Sequence, residues 1–197
     1  MLLSICIPAF NEQDSIAQAV REAFAAVATL GDCEVVVVDD GSTDRTPALL
    51  EQLALQNPGL RVIHHARNLG HPCALQTLIQ AARGEYIVQA PADLQWDMQD
   101  IPRLFAKIQQ GYDVVIGVRR QKQYTLWRKL VSFTYNALVA LLWGRHFGDL
   151  GSIKMARAGL WKAIPVEARA CPYILPYACP CPCPCPYAIS GNSAARW

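Results

Sequence analysis

Two adjacent carboxylates, Asp39 and Asp40, follow four consecutive valines and lead into Gly41, Ser42, Thr43 and Asp44. Paired acids can accept hydrogen bonds from the N–H and O–H groups of a nucleobase or a sugar, and Gly41 allows a tight turn. A plainer alternative is a strand end closed by a polar turn that starts a helix. Two other segments carry comparable polar clusters, Pro8-Ala9-Phe10-Asn11-Glu12 and Pro91-Ala92-Asp93-Leu94-Gln95. Ligands of open α/β sheets bind outside the carboxyl ends of the strands. Three such clusters therefore point to one binding rim.

The elements that would carry these clusters follow from the apolar pattern. Val35, Val36, Val37 and Val38 are apolar on both faces, as in a central strand of a parallel sheet. Strands are expected over 2–8, 33–38, 60–64, 86–89 and 113–117. A first helix, capped by Asp14 or Ser15, should run to about residue 28. A second should start at a Thr46 cap with Pro47 behind it and end at Asn57-Pro58-Gly59. A third is expected over 72–82, ending at Gly84, and a fourth from an Asp100 cap to 110 with Gly111 behind it. Alternation of this kind implies an α/β fold with a doubly wound, mostly parallel sheet.

A chain of 197 residues suits one domain with an appendage. A formal net charge of +2, with no basic run interleaved with aromatics, gives no case for nucleic acid as a partner. The start, Met1-Leu2-Leu3-Ser4, lacks the basic opening of a signal peptide, and no uninterrupted apolar stretch is long enough to span a membrane. A reducing cytosol is thus the expected compartment, without structural disulfides in the body. Cys6, Cys33 and Cys73 stand singly in apolar surroundings and are expected as buried thiols. The other cysteines crowd into 171–185, including the alternation Cys179-Pro180-Cys181-Pro182-Cys183-Pro184-Cys185-Pro186. Proline in every second place suits neither helix nor central strand, and the spacing is not that of a zinc site. Residues 165–197 are expected to be an irregular tail outside the fold, of the kind a change of reading frame would leave, with the domain over 1–164. Surface or cap roles are expected for His64, His65, His71 and His146. Residues 126–142 form a candidate helix with Trp127 and Trp143 near its ends and Arg128 and Lys129 in its first turn. That composition suits either a membrane interface or packing on the sheet.

Taken with Arg67-Asn68-Leu69-Gly70, Arg83-Gly84-Glu85 and Gly117-Val118-Arg119-Arg120, the three clusters resemble the family 2 glycosyltransferases. Within that family the match is best to the dolichol- or polyprenyl-phosphate sugar (mannosyl or glucosyl) synthases, over about residues 3–164. The resemblance implies the nucleotide-sugar-binding, glycosyltransferase A-type fold and a UDP- or GDP-linked sugar donor. Pro8, Phe10 and Glu12 would line the base and ribose pocket, with Val38 and Asp40 completing it and Asp39 orienting the turn. Ala92 and Asp93 would also face the donor. The family's metal motif is Asp-x-Asp followed by Leu-Gln; here Pro91 stands in the first aspartate's place. Asp93 and Gln95 are left to hold Mg²⁺ or Mn²⁺, with Asp97 near enough in sequence to assist and binding weakened by the missing carboxylate.

The resemblance further implies a polyprenyl (dolichyl or undecaprenyl) phosphate acceptor. Its oxyanion is already ionised, so no general base is required. Arg119, Arg128 and Ser132 would hold that phosphate, the guanidinium fork matching its oxygens, with Arg120 and Lys129 nearby. Asp93, Arg119 and Arg128 are thus the expected catalytic residues of an inverting transfer. Asp149-Leu150-Gly151-Ser152-Ile153-Lys154 looks like a shortened form of the family's later Asp-x-x-Ser-Gly-Phe-Lys segment. A peripheral, cytoplasmic protein at the inner membrane face, with a possible membrane-protein partner, is the implied setting. Two other readings stay open. A transferase to a saccharide hydroxyl in cell-envelope glycan synthesis would want a late Glu-Asp pair and a Gln-x-x-Arg-Trp motif, and neither is found. An inactive or truncated nucleotide-sugar-binding relic is favoured by Pro91 and by the missing segment after Lys154.

Overall fold

A computed structural model describes residues 1–117 and 153–163. The expectations for Arg119, Arg120, Arg128, Lys129, Ser132, His146 and Asp149, for the 126–142 helix and for the 165–197 tail lie outside the described residues. The described strands are β1 (Leu3–Ala9), β2 (Cys33–Asp39), β3 (Leu60–His64), β4 (Tyr86–Gln89), β5 (Val114–Ile116) and β6 (Lys154–Arg157). They form one sheet in the order β3-β2-β1-β4-β6-β5. β1 pairs in parallel with β2 and with β4, and β2 with β3. β6 runs antiparallel between β4 and β5. The mostly parallel sheet matches the expectation from sequence; the antiparallel β6 does not follow from the pattern, because Lys154-Met155-Ala156-Arg157 carries no β-branched residue.

Among the described residues, five α-helices accompany the sheet: α1 (Ile16–Val27), α2 (Thr46–Gln56), α3 (His71–Ala81), α4 (Ile101–Ile108) and α5 (Ala158–Ala163). The two-residue repeat of the strands divides the core. Ile5, Ile7, Val35, Val37 and Val88 face α1, α2 and α4, through Val20, Leu50 and Leu104 among others. Cys6, Val36, Val38 and Ile87 face α3 and α5, through Leu75, Leu78 and Trp161. Helices thus cover both faces, which makes the sheet doubly wound. Among the described residues no helix is long and apolar enough to cross a membrane.

The amino ends of the strands are pinned by a buried acid. Glu34 accepts hydrogen bonds from Ser4 Oγ at 2.6 Å, Arg83 N–H at 2.7 Å and Arg61 Nη1 at 2.9 Å. Gly84 N–H reaches Ser4 Oγ at 2.8 Å, and a Cβ at Gly84 would lie 2.6 Å from the Ser4 nitrogen. The Arg83-Gly84-Glu85 motif therefore serves the entry of β4, at the opposite end of the sheet from the polar clusters.

Four local expectations are corrected. Thr46 is the first residue of α2 and not its cap, its N–H donating to Asp44 Oδ1 at 2.8 Å. Asp100 does not cap α4 with its side chain but pairs with Arg103 at 3.0 Å, while Asp97 accepts the Gln99 N–H at 2.9 Å and starts a 3-10 turn over Met98–Asp100. Ser15 likewise makes no side-chain cap, because its hydroxyl donates to Glu12 Oε2 at 2.6 Å. Cys6 is buried, yet Cys73 is exposed, since it falls on the solvent side of the first turn of α3.

Candidate functional site

The strand order sets the carboxyl ends of β2, β1 and β4 side by side, so all three polar clusters lie along one rim. Backbone pairing continues past the strands, with Asp40 N–H donating to Ala9 O at 2.8 Å. The two following loops are then laced together. Asn11 N–H donates to Ser42 Oγ at 2.9 Å, Thr43 N–H to Asn11 Oδ1 at 2.9 Å, and Glu12 N–H to Thr46 Oγ1 at 2.9 Å. Asn11 sits at φ 55°, a left-handed conformation that asparagine tolerates better than most residues. This lacing holds the loop of Phe10 beside the Asp40 turn, and Phe10 is 43% exposed, an apolar side chain open for stacking.

The other residues expected to line the donor pocket divide by exposure. Pro8 and Glu12 are half-buried at the rim. The Val38 side chain is wholly buried in the core beneath α3, and Ala92 is also buried, so Val38 can offer a ligand little beyond its backbone.

Asp39 and Asp40 point to opposite faces of the sheet and take different partners. Asp39 Oδ1 accepts the Ser42 N–H at 3.1 Å, and its Oδ2 lies 2.8 Å from His64 Nδ1. His64 Nε2 in turn meets Glu51 of α2 at 2.8 Å. Asp40 Oδ1 lies 2.7 Å from His65 Nδ1 and accepts the Leu69 N–H at 3.0 Å; its Oδ2 accepts the Gly70 N–H at 2.8 Å. Burial alone would raise the Asp40 pKa, but the Leu69, His65 and Gly70 donors outweigh it and hold the carboxyl below the usual range. The β3–α3 connection can approach this closely only because residue 41 is glycine. Its φ is 70°, and a Cβ there would lie 2.3 Å from the Arg67 carbonyl carbon.

His64 and His65 are thus partners of the acid pair; His64 is a surface residue, as expected from sequence, whereas the His65 side chain is largely buried. The usable signal was the doublet itself. Asp39-Asp40 and His64-His65 end neighbouring strands in register, and a carboxylate pair beside an imidazole pair is legible once β2 and β3 are known to adjoin.

At the end of β4, Asp93 and Gln95 are both exposed, with Leu94 between them at φ 56°. Asp93 Oδ1 accepts the Gln95 N–H at 3.1 Å. Among the described residues, no group of three or more histidines, cysteines or acids is arranged to hold a metal ion. One carboxylate and one amide oxygen are a thin set, fitted to a cation that draws its remaining ligands from water and a bound diphosphate. Asp97 accepts the Gln99 N–H at 2.9 Å and caps its own turn.

On its β6 side the same rim carries Lys154. Lys154 pairs in register with Gln89 and is 3% exposed. Gln89 Nε2 lies 3.3 Å from His71 Nε2 at the start of α3. Protein packed around the His71 ring, although the residue remains exposed overall, disfavours its charged form; Lys154 adds to this, and the pKa falls below the ordinary value.

Residues 4–154 match the family model described as glycosyl transferase family 2. The chain belongs to that family. Its relatives include the undecaprenyl-phosphate 4-deoxy-4-formamido-L-arabinose transferase of Enterobacter sp. (strain 638), 38% identical over 157 residues, which cover 78% of this chain and 48% of the relative. The transferase of the same name from Edwardsiella ictaluri (strain 93-146) is 36% identical over 166 residues, 82% of this chain and 51% of the relative. The family 2 chain described here spans about half the length of these relatives. Among solved structures, a mannosyltransferase from Pyrobaculum calidifontis in complex with GDP-Man and Mn²⁺ aligns with a TM-score of 0.66 at 21% identity, over 88% of this chain and 50% of that one. Glucosyl-3-phosphoglycerate synthase from Mycobacterium tuberculosis, in complex with Mn²⁺, UDP and phosphoglyceric acid, aligns with a TM-score of 0.64 at 23% identity, over 81% and 56%. These likenesses show the shared fold, the glycosyltransferase A-type sheet.

Proposed function

We propose that this family 2 chain binds a UDP- or GDP-linked sugar along the rim and transfers the sugar, with inversion, to a polyprenyl phosphate. The observation that carries the reading is the sheet order, which brings Phe10, Asp40 and Asp93 to one edge. In this reading Phe10 stacks on the base, Asp40 accepts a base or ribose hydrogen, and Glu12, with the backbone of Pro8 and Val38, closes the pocket. Asp93 and Gln95 would hold Mg²⁺ or Mn²⁺, which would supply charge neutralisation for a departing nucleotide diphosphate. Arg119, Arg128 and Ser132 hold the acceptor phosphate. An acceptor that is already an anion needs cations to bring it to a second anion, not a base to deprotonate it. The relatives named for undecaprenyl-phosphate transfer support this choice of acceptor.

The lipid acceptor implies work at the cytoplasmic membrane face, reached through the 126–142 segment or a membrane-protein partner. Pro91 favours a second reading, a nucleotide-sugar binder without turnover, because it removes a carboxylate from the metal motif. Calorimetric titration with a panel of UDP- and GDP-sugars, with and without Mn²⁺, tests the donor site. Mn²⁺-strengthened binding of one donor is expected. If no nucleotide sugar binds under either condition, both readings fail; binding without lipid-linked product selects the second.

A further inference from the structure

We propose that His65 is a positioning residue: it fixes the Asp40 carboxylate, and through it the Leu69 and Gly70 backbone, in one geometry at the rim. The inference rests on the reading of Asp40 as a donor-binding acid. Three hydrogen bonds converge on Asp40, all from the β3–α3 connection, and His65 makes the shortest at 2.7 Å. The His65 side chain is 10% exposed, so this ring is part of the packed interior. Its other nitrogen, Nε2, lies 3.0 Å from Thr77 Oγ1 on α3, and Thr77 Oγ1 lies 3.1 Å from Cys73 O. His65 therefore ties the end of β2 to the body of α3.

Proton counting sets the direction of each bond. An ionised Asp40 can only accept, so Nδ1 of His65 must carry hydrogen. Thr77 has one hydroxyl proton and two possible targets. When it donates to His65 Nε2, the ring is the neutral Nδ1–H tautomer. When it donates to Cys73 O, Nε2 must also carry hydrogen and the ring is an imidazolium. Asp40 keeps its Nδ1–H donor in both arrangements, because rotation of the Thr77 hydroxyl absorbs the difference. A carboxylate held this way has one Oδ2 lone pair not taken by these three bonds, at a fixed angle, and with its side chain 5% exposed that is the most it can offer a ligand. Losing the His65 donor would leave Oδ1 to Leu69 alone and let the carboxylate turn.

The test uses the full chain, its best nucleotide sugar and two variants. His65→Ala should raise the donor KM by about tenfold, the worth of one hydrogen bond to a charged group, with kcat little changed. It should also speed amide exchange at Leu69 and Gly70. His65→Asn places an amide N–H near the position of Nδ1 and should recover most of the donor affinity, although it restores only part of the lost ring volume. Equal behaviour of the alanine and asparagine variants would reduce His65 to a packing residue and overturn the proposal. So would unchanged exchange at Leu69 and Gly70 in His65→Ala while the wild type binds donor. Failure of the wild type to bind any nucleotide sugar would instead overturn the reading of Asp40, and the donor-binding part of this proposal with it.

Discussion

Asp39 and His64 are register partners on adjacent parallel strands, and the histidine Nδ1 lies 2.8 Å from the acid's Oδ2. One residue further along, Asp40 and His65 repeat the pairing on the other face of the sheet at 2.7 Å. Each pair reaches a helix on its own face, Glu51 of α2 for the first and Thr77 of α3 for the second. The polar turn is thereby anchored to both helical layers, which suits a rim that must meet a ligand without rearranging.

The outer pair gives a pH dependence. Burial disfavours the His64 imidazolium, but its bonds to Asp39 and Glu51 outweigh this and raise its pKa. A folded value above the unfolded one contributes stability in full below the unfolded value of about 6.5 and loses it as pH rises through the folded value. The difference in thermal stability between the wild type and His64→Gln should therefore be full below about pH 6.5 and shrink as the pH rises above it. A difference that stays constant, or grows with pH, would contradict the pairing.

The amino-end network predicts a structural lesion separate from the site. Glu34 is 2% exposed and takes bonds from Ser4, Arg61 and the Arg83 backbone. Glu34→Ala leaves these donors without their acceptor and should cost about 3 kcal/mol, the lower part of the range for a broken buried pair because Arg61 still reaches solvent. Urea denaturation checks this. A loss under about 1 kcal/mol would mean that the network is dispensable.

At the turn, Gly41→Ala should harm both stability and donor binding. Its positive φ and the 2.3 Å approach to Arg67 leave no room for a Cβ, so the β3–α3 connection must move away from Asp40. A melting temperature and a donor titration would show both effects. Wild-type binding by a folded Gly41→Ala protein would detach that connection from the donor site.

Most of the fold was legible because Val35 to Val38 and the alternating helices leave few arrangements other than a parallel sheet. β6 was not, since Lys154 to Arg157 owes its place to the edges of β4 and β5 and not to its own propensity. At the site, the acid pair was visible as chemistry, but its histidine partners were not. Their role depends on the adjacency of β2 and β3, a tertiary fact absent from local spacing. Arg83-Gly84-Glu85, which carried part of the family resemblance, lies at the far ends of the strands, where Gly84 passes close to Ser4.

The thin donor set at β4 makes a gain-of-function prediction. Pro91→Asp should restore a second carboxylate and tighten Mn²⁺ binding by about tenfold, as added ligand charge does in hard-cation sites. Titration of Mn²⁺ in the presence of UDP or GDP reads this directly. No tightening would place Pro91 outside the cation's reach.

In the proposed function the rim moves a sugar from a nucleotide to a lipid phosphate with help from Asp93. Its most direct test is formation of lipid-linked sugar from undecaprenyl phosphate and a panel of nucleotide sugars, with Mg²⁺ or Mn²⁺, by the wild type and by Asp93→Ala. Product that appears with the wild type, disappears with a chelator and falls at least about a hundredfold in the variant is the predicted result. Equal product from Asp93→Ala, with an unchanged response to metal, would contradict it.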